Sequence, residues 1–369
     1  MPPTVATTAS TSSRRRVRFN WVDSFLLALR VGAVVLIAVG LTGSIVNFAQ
    51  GEGPTTEAWI DLIVSGVAQG AMYGLIALGY SMVYGVLGFI NFAHGEVFMV
   101  GAMTGMITSN KLFEAGAWES NFIASLLFIV MVAVIVSTLT AVVMERVAYR
   151  PLRGSPRLIP LITSIGISFF IQNVSVVLLG PGAKAYPDLP DWWTETQTIW
   201  FVEVQRTRLL VVVVAAVAMA ALWYLVERTK TGKAMRAVAE DKEIASLMGI
   251  NVNRIIVTTF AVGGAMAGVA GILWGVMFRS VIHTTGFLPG IKAFSAAVVG
   301  GIGNLGGAMA GGVTLGTAES VAPLLILEPL GINGVSQLRD AVAFAALILV
   351  LLVKPTGLFG ERLSAEDRA

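Results

Sequence analysis

One short run of this apolar sequence carries polar side chains that could do chemistry. Residues 90–96 read Ile-Asn-Phe-Ala-His-Gly-Glu, so Asn91, His94 and Glu96 lie between two apolar stretches. Polar groups at membrane depth are costly unless they face protein or water. We predict one of two roles. Either the three residues interrupt a helix and line a solute path, or Asn91 or Glu96 caps the start of a helix by accepting from its free N–H groups.

Two further charged residues, Lys292 and Glu319, also fall inside apolar stretches. Each is predicted to be a residue of a solute path or one partner of a buried ion pair, and the two could pair with each other. No metal site is predicted. The chain has no cysteine, and His283, its second histidine, is expected on the far side of the membrane from His94.

The sequence lacks the patterns of common enzymes. It has no phosphate-binding Gly-x4-Gly-Lys-Ser/Thr loop, no serine-nucleophile elbow, no His-Glu-x-x-His pair and no kinase motif set. We therefore predict no catalytic residue and no bound cofactor. If ATP powers the protein, the ATPase is predicted to be a separate partner chain.

The composition restricts the class of protein. Charged residues make up 13% of the 369 residues, and hydrophobic residues make up 56% with a mean hydropathy of +0.79. A soluble domain carries about 25% charged residues. The chain is therefore predicted to be an all-α, polytopic helical membrane protein rather than a soluble enzyme, a disordered chain or a disulfide scaffold. A net charge of +3 is too small to indicate nucleic-acid binding.

Ten stretches have the length and character of membrane spans, at about 20 residues each. They are 25–48, 59–80, 82–108, 121–144, 158–180, 208–227, 255–278, 287–302, 305–327 and 339–353. The third is interrupted by polar residues and the eighth is short. The prediction is therefore about eight to ten transmembrane helices, with Gly-broken or re-entrant segments among them.

Glycine spacing predicts where helices approach closely. Gly66, Gly70 and Gly74 recur every four residues, a spacing that lets helix backbones touch in lipid. The denser glycines of 300–307 predict a broken or re-entrant segment, with a counterpart near 85–95. Two broken segments in different halves of a membrane protein indicate a transport site.

Basic residues predict the orientation. They cluster at 14–18, 146–157, 228–254 and 354–368, which all fall on one side if there are ten spans. The positive-inside rule makes that side, and both termini, cytoplasmic. The opposite loops carry mostly acidic residues.

The predicted organisation has four parts. Residues 1–24 form a disordered cytoplasmic tail, 25–48 an extra transmembrane segment, 59–355 the membrane domain with its cytoplasmic loop 228–254, and 356–369 a second cytoplasmic tail. A cleaved secretory signal is the alternative for 25–48. An uncleaved signal-anchor is favoured, because the segment exceeds the apolar core of about 7–15 residues that a signal has.

The loop 228–254 is predicted to contain a helix at 233–248, because these residues are strong helix formers and Gly249 can end the helix. Met235, Val238, Ala245 and Met248 fall near one face. Such a helix fits a groove on a partner. The alternative is a helix lying on the membrane, which its acidic residues disfavour because the inner leaflet is negative.

Several of these stretches resemble one family. Together, in order along residues 60–360, they are similar to the H-type permease subunit of branched-chain amino acid ABC transporters. The stretches are 73–85, 90–96, 145–152, 162–173, 239–251 and 293–303.

The resemblance implies the ABC importer permease fold in a bacterial inner (plasma) membrane. Implied partners are a second homologous permease subunit, two cytoplasmic ABC ATPases, an extracytoplasmic solute-binding protein and membrane lipid, with no nucleic acid. Alternating access would be driven by ATP bound to those ATPases. The implied solutes are leucine, isoleucine and valine.

The resemblance also implies roles for residues. The segment 233–251 matches the loop that docks on the ATPase, so Glu240, Asp241, Ala245 and Gly249 are the predicted coupling residues. Asn91, His94 and Glu96 are hypothesised to line or gate the path.

Some alternatives stay open. The same kind of importer could carry urea, an amide or another amino acid, and a gradient-driven carrier or channel is a second class. An intramembrane enzyme is a third class, which is disfavoured because the sequence shows no set of catalytic residues. The Trp-rich loop 184–207 is predicted either to meet the binding protein or to form an interfacial aromatic belt. Members of the family have about eight spans, so 25–48 departs from the pattern.

Overall fold

The computed structural model describes residues 21–51, 53–156, 158–199, 202–332 and 334–360. Most of the two predicted tails, at 1–20 and 361–369, lies outside the described residues.

The fold is almost entirely helical. The α-helices, in chain order, are α1 Trp21–Gln50, α2 Thr56–Leu87, α3 His94–Glu114, α4 Ala117–Ser120, α5 Phe122–Met144, α6 Leu158–Leu179, α7 Asp191–Thr194, α8 Arg206–Arg228, α9 Lys230–Glu240, α10 Lys242–Leu247, α11 Val252–Phe278, α12 Phe287–Gly300, α13 Leu305–Ala322 and α14 Arg339–Val353. Single π-helical turns lie at Glu145–Tyr149 and Pro323–Leu327, and 3-10 turns lie at Arg150–Leu152, Glu328–Leu330 and Val335–Leu338.

Among the described residues, four short strands form two antiparallel pairs. They are β1 Lys184–Ala185, β2 Thr196–Ile199, β3 Val202–Gln205 and β4 Ser280–Val281. Strand β1 pairs with β4 and β2 pairs with β3. The β1–β4 pair joins the loop after α6 to the loop after α11.

In the described part of the chain, eight helical segments are long and apolar enough to cross a membrane, which makes this a multi-pass membrane protein. Two other predicted spans correspond to α3, which is more polar, and to α12. The latter has 14 residues, a length of about 21 Å, and cannot cross a hydrocarbon core of about 30 Å alone.

One predicted boundary is wrong. Helix α2 runs without interruption from Thr56 to Leu87, whereas the sequence suggested that one span ended at 80 and the next began at 82. The break lies at 88–93, after Gly88 ends the helix with φ 77°. The apolar runs on both sides of residue 81 belong to one helix, because that helix is buried along most of its length and needs no polar face.

Close glycine packing, predicted from spacing, is confirmed between α2 and α13. A methyl group added at Gly66 would lie 2.8 Å from Cα of Thr317, and one at Gly70 would lie 2.8 Å from Cα of Val313. Backbone contact of this kind places α2 at the centre of the bundle, where α13, α11, α12 and α8 pack around it.

The glycines of 300–307 form a tight connection between α12 and α13. Gly301 takes φ 104° and Gly303 takes φ 91°, and Asn304 then caps α13 by accepting from Gly307 N at 2.9 Å. The broken segment predicted here is therefore a turn. The short helix of this half of the chain lies just before it.

The extra N-terminal segment is a helix that begins at Trp21, so residues 21–24 belong to it rather than to the predicted tail. It touches the bundle through small residues. Gly43 faces Pro329, where an added methyl group would lie 2.7 Å from Cβ, and the Ser44 hydroxyl donates to Leu325 O at 2.7 Å. Whether the segment is cleaved stays a prediction.

The helix predicted at 233–248 is wrong as a single element, since two helices meet there at Asp241. The Asp241 carboxylate accepts from the backbone N–H of Glu243 at 2.7 Å and of Ile244 at 2.9 Å, which starts α10. Because its side chain accepts from backbone N–H groups two and three residues further along, Asp241 favours an N-cap over a helix interior. Gly249 ends the segment with φ 83°, as its position suggested.

Residues 356–360, part of the predicted second tail, fold back onto the bundle. Leu358 N donates to Val299 O at 2.7 Å, and Phe359 N donates to Gly300 O at 3.1 Å. These bonds satisfy carbonyls at the end of α12.

Candidate functional site: a helix break inside the membrane domain

Two helices begin at the same place inside the bundle. Helix α3 begins at His94 after the break at 88–93, and the short helix α12 begins at Phe287 after the turn that follows β4. Their first turns touch, because a methyl group at Gly290 would lie 3.0 Å from Cα of Gly95. The N-terminus of a helix carries a partial positive charge and free N–H groups. The N-termini of α3 and α12 therefore bring partial positive charge and free N–H groups together in one region.

Asn91 shapes the break. Its carboxamide Oδ1 accepts from Ala93 N at 3.1 Å and from the Tyr149 hydroxyl at 2.6 Å. Its Nδ2 is buried with no hydrogen-bond partner among the described residues. These bonds hold the turn that precedes α3, but they are not the predicted cap, because the N-cap residue is Ala93, which makes no side-chain cap bond, and Asn91 accepts from the N–H of Ala93 itself. The role of Asn91 in a solute path stays a prediction.

His94 lies in a slot between two glycines. A methyl group at Gly79 of α2 would overlap its imidazole, and one at Gly263 of α11 would lie 3.5 Å from its Cε1. The Tyr80 ring stacks edge-on at 5.1 Å between centroids. Nε2 is buried and has no hydrogen-bond partner in the described chain. The slot fixes the position of the His94 imidazole and leaves its Nε2 without a hydrogen bond.

Glu96 ties α3 to α6. Its Oε1 accepts from the Ser168 hydroxyl at 2.9 Å and from Gln172 Nε2 at 2.7 Å. Its Oε2 lies next to Gly286, where an added methyl group would come within 2.5 Å, and has no hydrogen-bond partner in the part of the chain that is described. A buried carboxylate with one free oxygen at two helix starts is suited to binding a cation or donor group.

The structure thus brings Asn91, His94 and Glu96 together at the break, and all three side chains are buried, with at most 2% exposed. The sequence analysis missed their partners Tyr149, Ser168 and Gln172. The α6 residues carried a signal, since Ser164, Ser168 and Gln172 recur every four residues and so share one face of a helix. Tyr149 carried none, because it stands 58 positions from Asn91.

The second polar cluster lies at Lys292. Lys292 and Glu319 form a buried ion pair, which is one of the two roles predicted for them. Lys292 Nζ lies 2.6 Å from Glu319 Oε1 and 2.6 Å from Asp340 Oδ1. Gln69 Nε2 donates to the Tyr73 hydroxyl at 2.6 Å and to Glu319 at 3.3 Å. The cluster joins α12 to α13, α14 and α2. Asp340 was missed, because it stands at the edge of the predicted span 339–353, in the first turn of α14, where a charged residue is not conspicuous.

The segment 230–249, here called the docking segment, presents an apolar tip to solvent. The side chains of Ile244, Leu247 and Met248 are 60%, 85% and 78% exposed. Of the predicted coupling residues, Glu240, Asp241 and Gly249 are exposed, while Ala245 is buried against the bundle. Met235 and Val238, predicted on one face with Met248 to fit a partner's groove, are buried in this chain. Met248 lies in the exposed tip, because α9 and α10 are separate helices that meet at Asp241.

No three His, Asp or Glu side chains of the described residues come together as metal ligands.

A family model and individual relatives both assign this chain to one family. Residues 62–351 match the family model described as branched-chain amino acid transport system / permease component. The high-affinity branched-chain amino acid transport system permease protein LivH of Salmonella typhimurium is 41% identical over 304 residues, covering 82% of this chain and 96% of LivH.

Two further relatives agree with it. The corresponding permease protein BraD of Pseudomonas aeruginosa is 41% identical over 309 residues, covering 83% of this chain and 97% of BraD. The LivH of Escherichia coli (strain K12) is 40% identical over 304 residues, covering 82% of this chain and 96% of LivH. With a family model over most of the chain and relatives of this identity over nearly their whole length, the chain belongs to the family of branched-chain amino acid transport system permeases.

Proposed function

We propose that this chain is a permease subunit of an ABC importer for leucine, isoleucine and valine in a bacterial inner membrane. Its basic loops and both termini face the cytoplasm. It works with a second homologous permease, two cytoplasmic ATPases and an extracytoplasmic binding protein. Family membership supports the proposal, as do relatives at about 40% identity whose names state this transport.

The docking segment is the observation that carries the proposal. A short pair of helices with an apolar tip lies outside the membrane spans, next to the basic residues that mark the cytoplasmic side. Exposed apolar side chains on a helix indicate a partner with a groove. In an importer whose permease sequence has no phosphate-binding loop, that partner is the ATPase.

The predicted coupling residues take different parts in this proposal. Asp241 starts α10 and Gly249 ends the segment, so both set the position of the tip. Glu240 is exposed and is available for a contact with the ATPase. Ala245 faces the bundle and fixes the segment to the membrane domain, so a mutation there acts through position rather than contact.

The path is proposed to open at the helix break. A zwitterionic amino acid has an ammonium group that suits the free oxygen of Glu96 and a carboxylate that suits the N-termini of α3 and α12. Asn91, His94 and Glu96 are buried in the present arrangement, which corresponds to a closed path. Alternating access would separate α3 from α6 or α12 and expose these groups to one side at a time.

The docking proposal is tested with Leu247→Asp in the reconstituted importer. A charge at the centre of the tip cannot enter an apolar groove, so copurification of the ATPase and ATP-dependent leucine uptake should both fall at least tenfold. Phe359→Asp is the matched control, because it places the same charge on an exposed apolar side chain outside the docking segment. Unchanged ATPase binding by Leu247→Asp would contradict the docking site.

The solute is tested by competition in the same vesicles. Uptake of labelled leucine should be inhibited by isoleucine and valine, and it should be unaffected by excess urea or acetamide. It should also require the binding protein and ATP, and persist when an ionophore collapses ion gradients. Uptake that stops with the ionophore would favour a gradient-driven carrier.

A further inference from the structure

A single π-helical turn links the docking segment to the helix break. It spans Glu145–Tyr149, at the end of α5, and both of its terminal side chains are buried. We propose that Tyr149 is a positioning residue of the transport cycle: its hydroxyl holds Asn91, so that movement of the docking segment is passed through this turn to the start of α3. The inference rests on the proposed function.

The first end of the turn reaches the docking side. The Glu145 carboxylate pairs with Arg153, whose guanidinium also donates to Asn253 Oδ1 at the start of α11. The Glu145 side chain is fully buried. Burial, and in second place the positive charge of Arg153, lower the pKa of Lys242, the first residue of α10. Arg153 therefore joins the turn to the start of α11, and the docking segment packs on the same helix α11 through α9 and α10.

The docking segment also rests on the end of α2. Lys242 Nζ lies 3.5 Å from Leu87 O, the last carbonyl of that helix, and a methyl group added at Gly85 would lie 3.9 Å from Cβ of Ala239. Since the break begins at Gly88, a displacement of the docking segment bears on the break from the α2 side as well as through the turn.

The second end of the turn reaches the break itself. The Tyr149 hydroxyl donates to Asn91 Oδ1 at 2.6 Å, and the same oxygen accepts from Ala93 N. The Tyr149 ring packs at 5.4 Å from Phe89 and 5.7 Å from Phe260. A tyrosine buried among aromatic rings could serve packing alone, for which phenylalanine would suffice. The hydroxyl is what connects the turn to the residue that shapes the start of α3.

The turn itself is suited to this task. A π-helical turn holds one more residue than an α-helical turn and is a common feature of functional sites. Its loop of backbone can tighten or relax without unfolding α5. With side chains fixed at both ends, a change at Arg153 alters the position of Tyr149.

The test is the number of leucine molecules transported per ATP hydrolysed, measured with Tyr149→Phe in the reconstituted importer. The variant keeps the ring and loses one buried hydrogen bond, whose worth corresponds to about a tenfold change in an equilibrium constant. We expect leucine transported per ATP to fall about fivefold to tenfold with assembly unchanged. A packing role alone would lower transport and ATPase activity together and leave their ratio unaltered.

Tyr224→Phe is the matched control, because Tyr224 is exposed on α8 and should leave the ratio unchanged. If the Tyr149 variant does not assemble, Arg153→Ala is the second test. It removes the ion-pair partner of Glu145, at the other end of the turn, and is judged by the same ratio of leucine transported to ATP hydrolysed. The double variant Tyr149→Phe with Arg153→Ala should lower leucine transported per ATP no more than the more damaging single variant, since both changes interrupt the same connection between the docking segment and the break.

A wild-type ratio in Tyr149→Phe, or in Arg153→Ala where the former does not assemble, would overturn the inference while leaving the proposed function intact. Failure of the proposed function is seen separately, as absence of leucine-stimulated ATPase activity in the wild-type assembly.

Discussion

Two intramembrane polar regions of the described chain differ in whether a charged side chain is paired with an opposite charge. At the Lys292 cluster the cation has two carboxylate partners, and Glu319 Oε1 also accepts from Gln69, while Glu319 Oε2 is buried without a hydrogen-bond partner among the described residues. At the helix break, polar atoms of Asn91, His94 and Glu96 are buried without hydrogen-bond partners among the described residues. An unmade buried hydrogen bond costs about 1–3 kcal/mol.

This difference suggests that the Lys292 cluster stabilises the fold and that the helix break binds a ligand. Four helices meet at the Lys292 cluster, so its ion pairs fix the short helix α12 in the bundle. The break keeps unsatisfied groups at two helix starts, an arrangement that a bound solute could complete. On this comparison, mutations in the first region should lower stability, and mutations in the second should lower transport.

The largest effect on stability is expected for Lys292→Met. Removing the cation leaves the Glu319 and Asp340 carboxylates facing each other with no counter-ion, at a cost of about 3–5 kcal/mol for a broken buried pair. The purified protein should lose its sharp melting transition or melt at a much lower temperature. Lys292→Met together with Glu319→Met should recover part of the loss.

Arg339→Met is the control for this change, because it removes an exposed cation from the first turn of the same helix α14 as Asp340. It should melt like the wild type. A Lys292→Met protein of normal stability with impaired uptake would reverse the comparison and place Lys292 in the path.

An intermediate effect is expected for Gly79→Ala. The added methyl group overlaps the His94 imidazole, and overpacking a buried site costs about 1–3 kcal/mol. Because His94 fills the space, Gly79→Ala should cost less in a His94→Ala background, and a double-mutant cycle of melting temperatures measures that coupling.

Gly166→Ala is the matched control, since a methyl group on this α6 glycine meets nothing within 4 Å. Equal costs of Gly79→Ala in both backgrounds would mean that His94 does not occupy a slot of fixed shape.

The smallest effect on stability is expected for Glu96→Gln. The amide keeps the shape and an oxygen that accepts from Ser168, so the free energy of unfolding should change by about 1 kcal/mol or less. Leucine uptake should nevertheless fall at least tenfold, because the negative charge proposed to receive the ammonium group is gone. Uptake at the wild-type rate with normal assembly would exclude Glu96 from the path.

The sequence alone identified the class of protein, the family and most helices, because long apolar runs and sparse charge leave few other structures for a chain. It also identified Asn91, His94, Glu96, Lys292 and Glu319, since a charged or polar side chain inside an apolar run is conspicuous, but it missed their partners. It placed a span boundary at 80–82 inside α2, although the broken segment that it predicted near 85–95 contains the observed break, and it treated 233–248 as one helix. Continuous apolarity hides a boundary, and a strong helix former at each position hides a cap such as Asp241.

The tertiary structure decided how those residues are used. Asn91, Glu96 and Lys292 bind partners that stand 27 to 76 positions away in the chain, which no local pattern specifies. The same holds for Gly79 and Gly286, whose missing side chains matter because His94 and Glu96 arrive from another helix. Composition and spacing determine which segments enter the membrane, whereas the choice between satisfied and unsatisfied polar groups depends on how the helices pack.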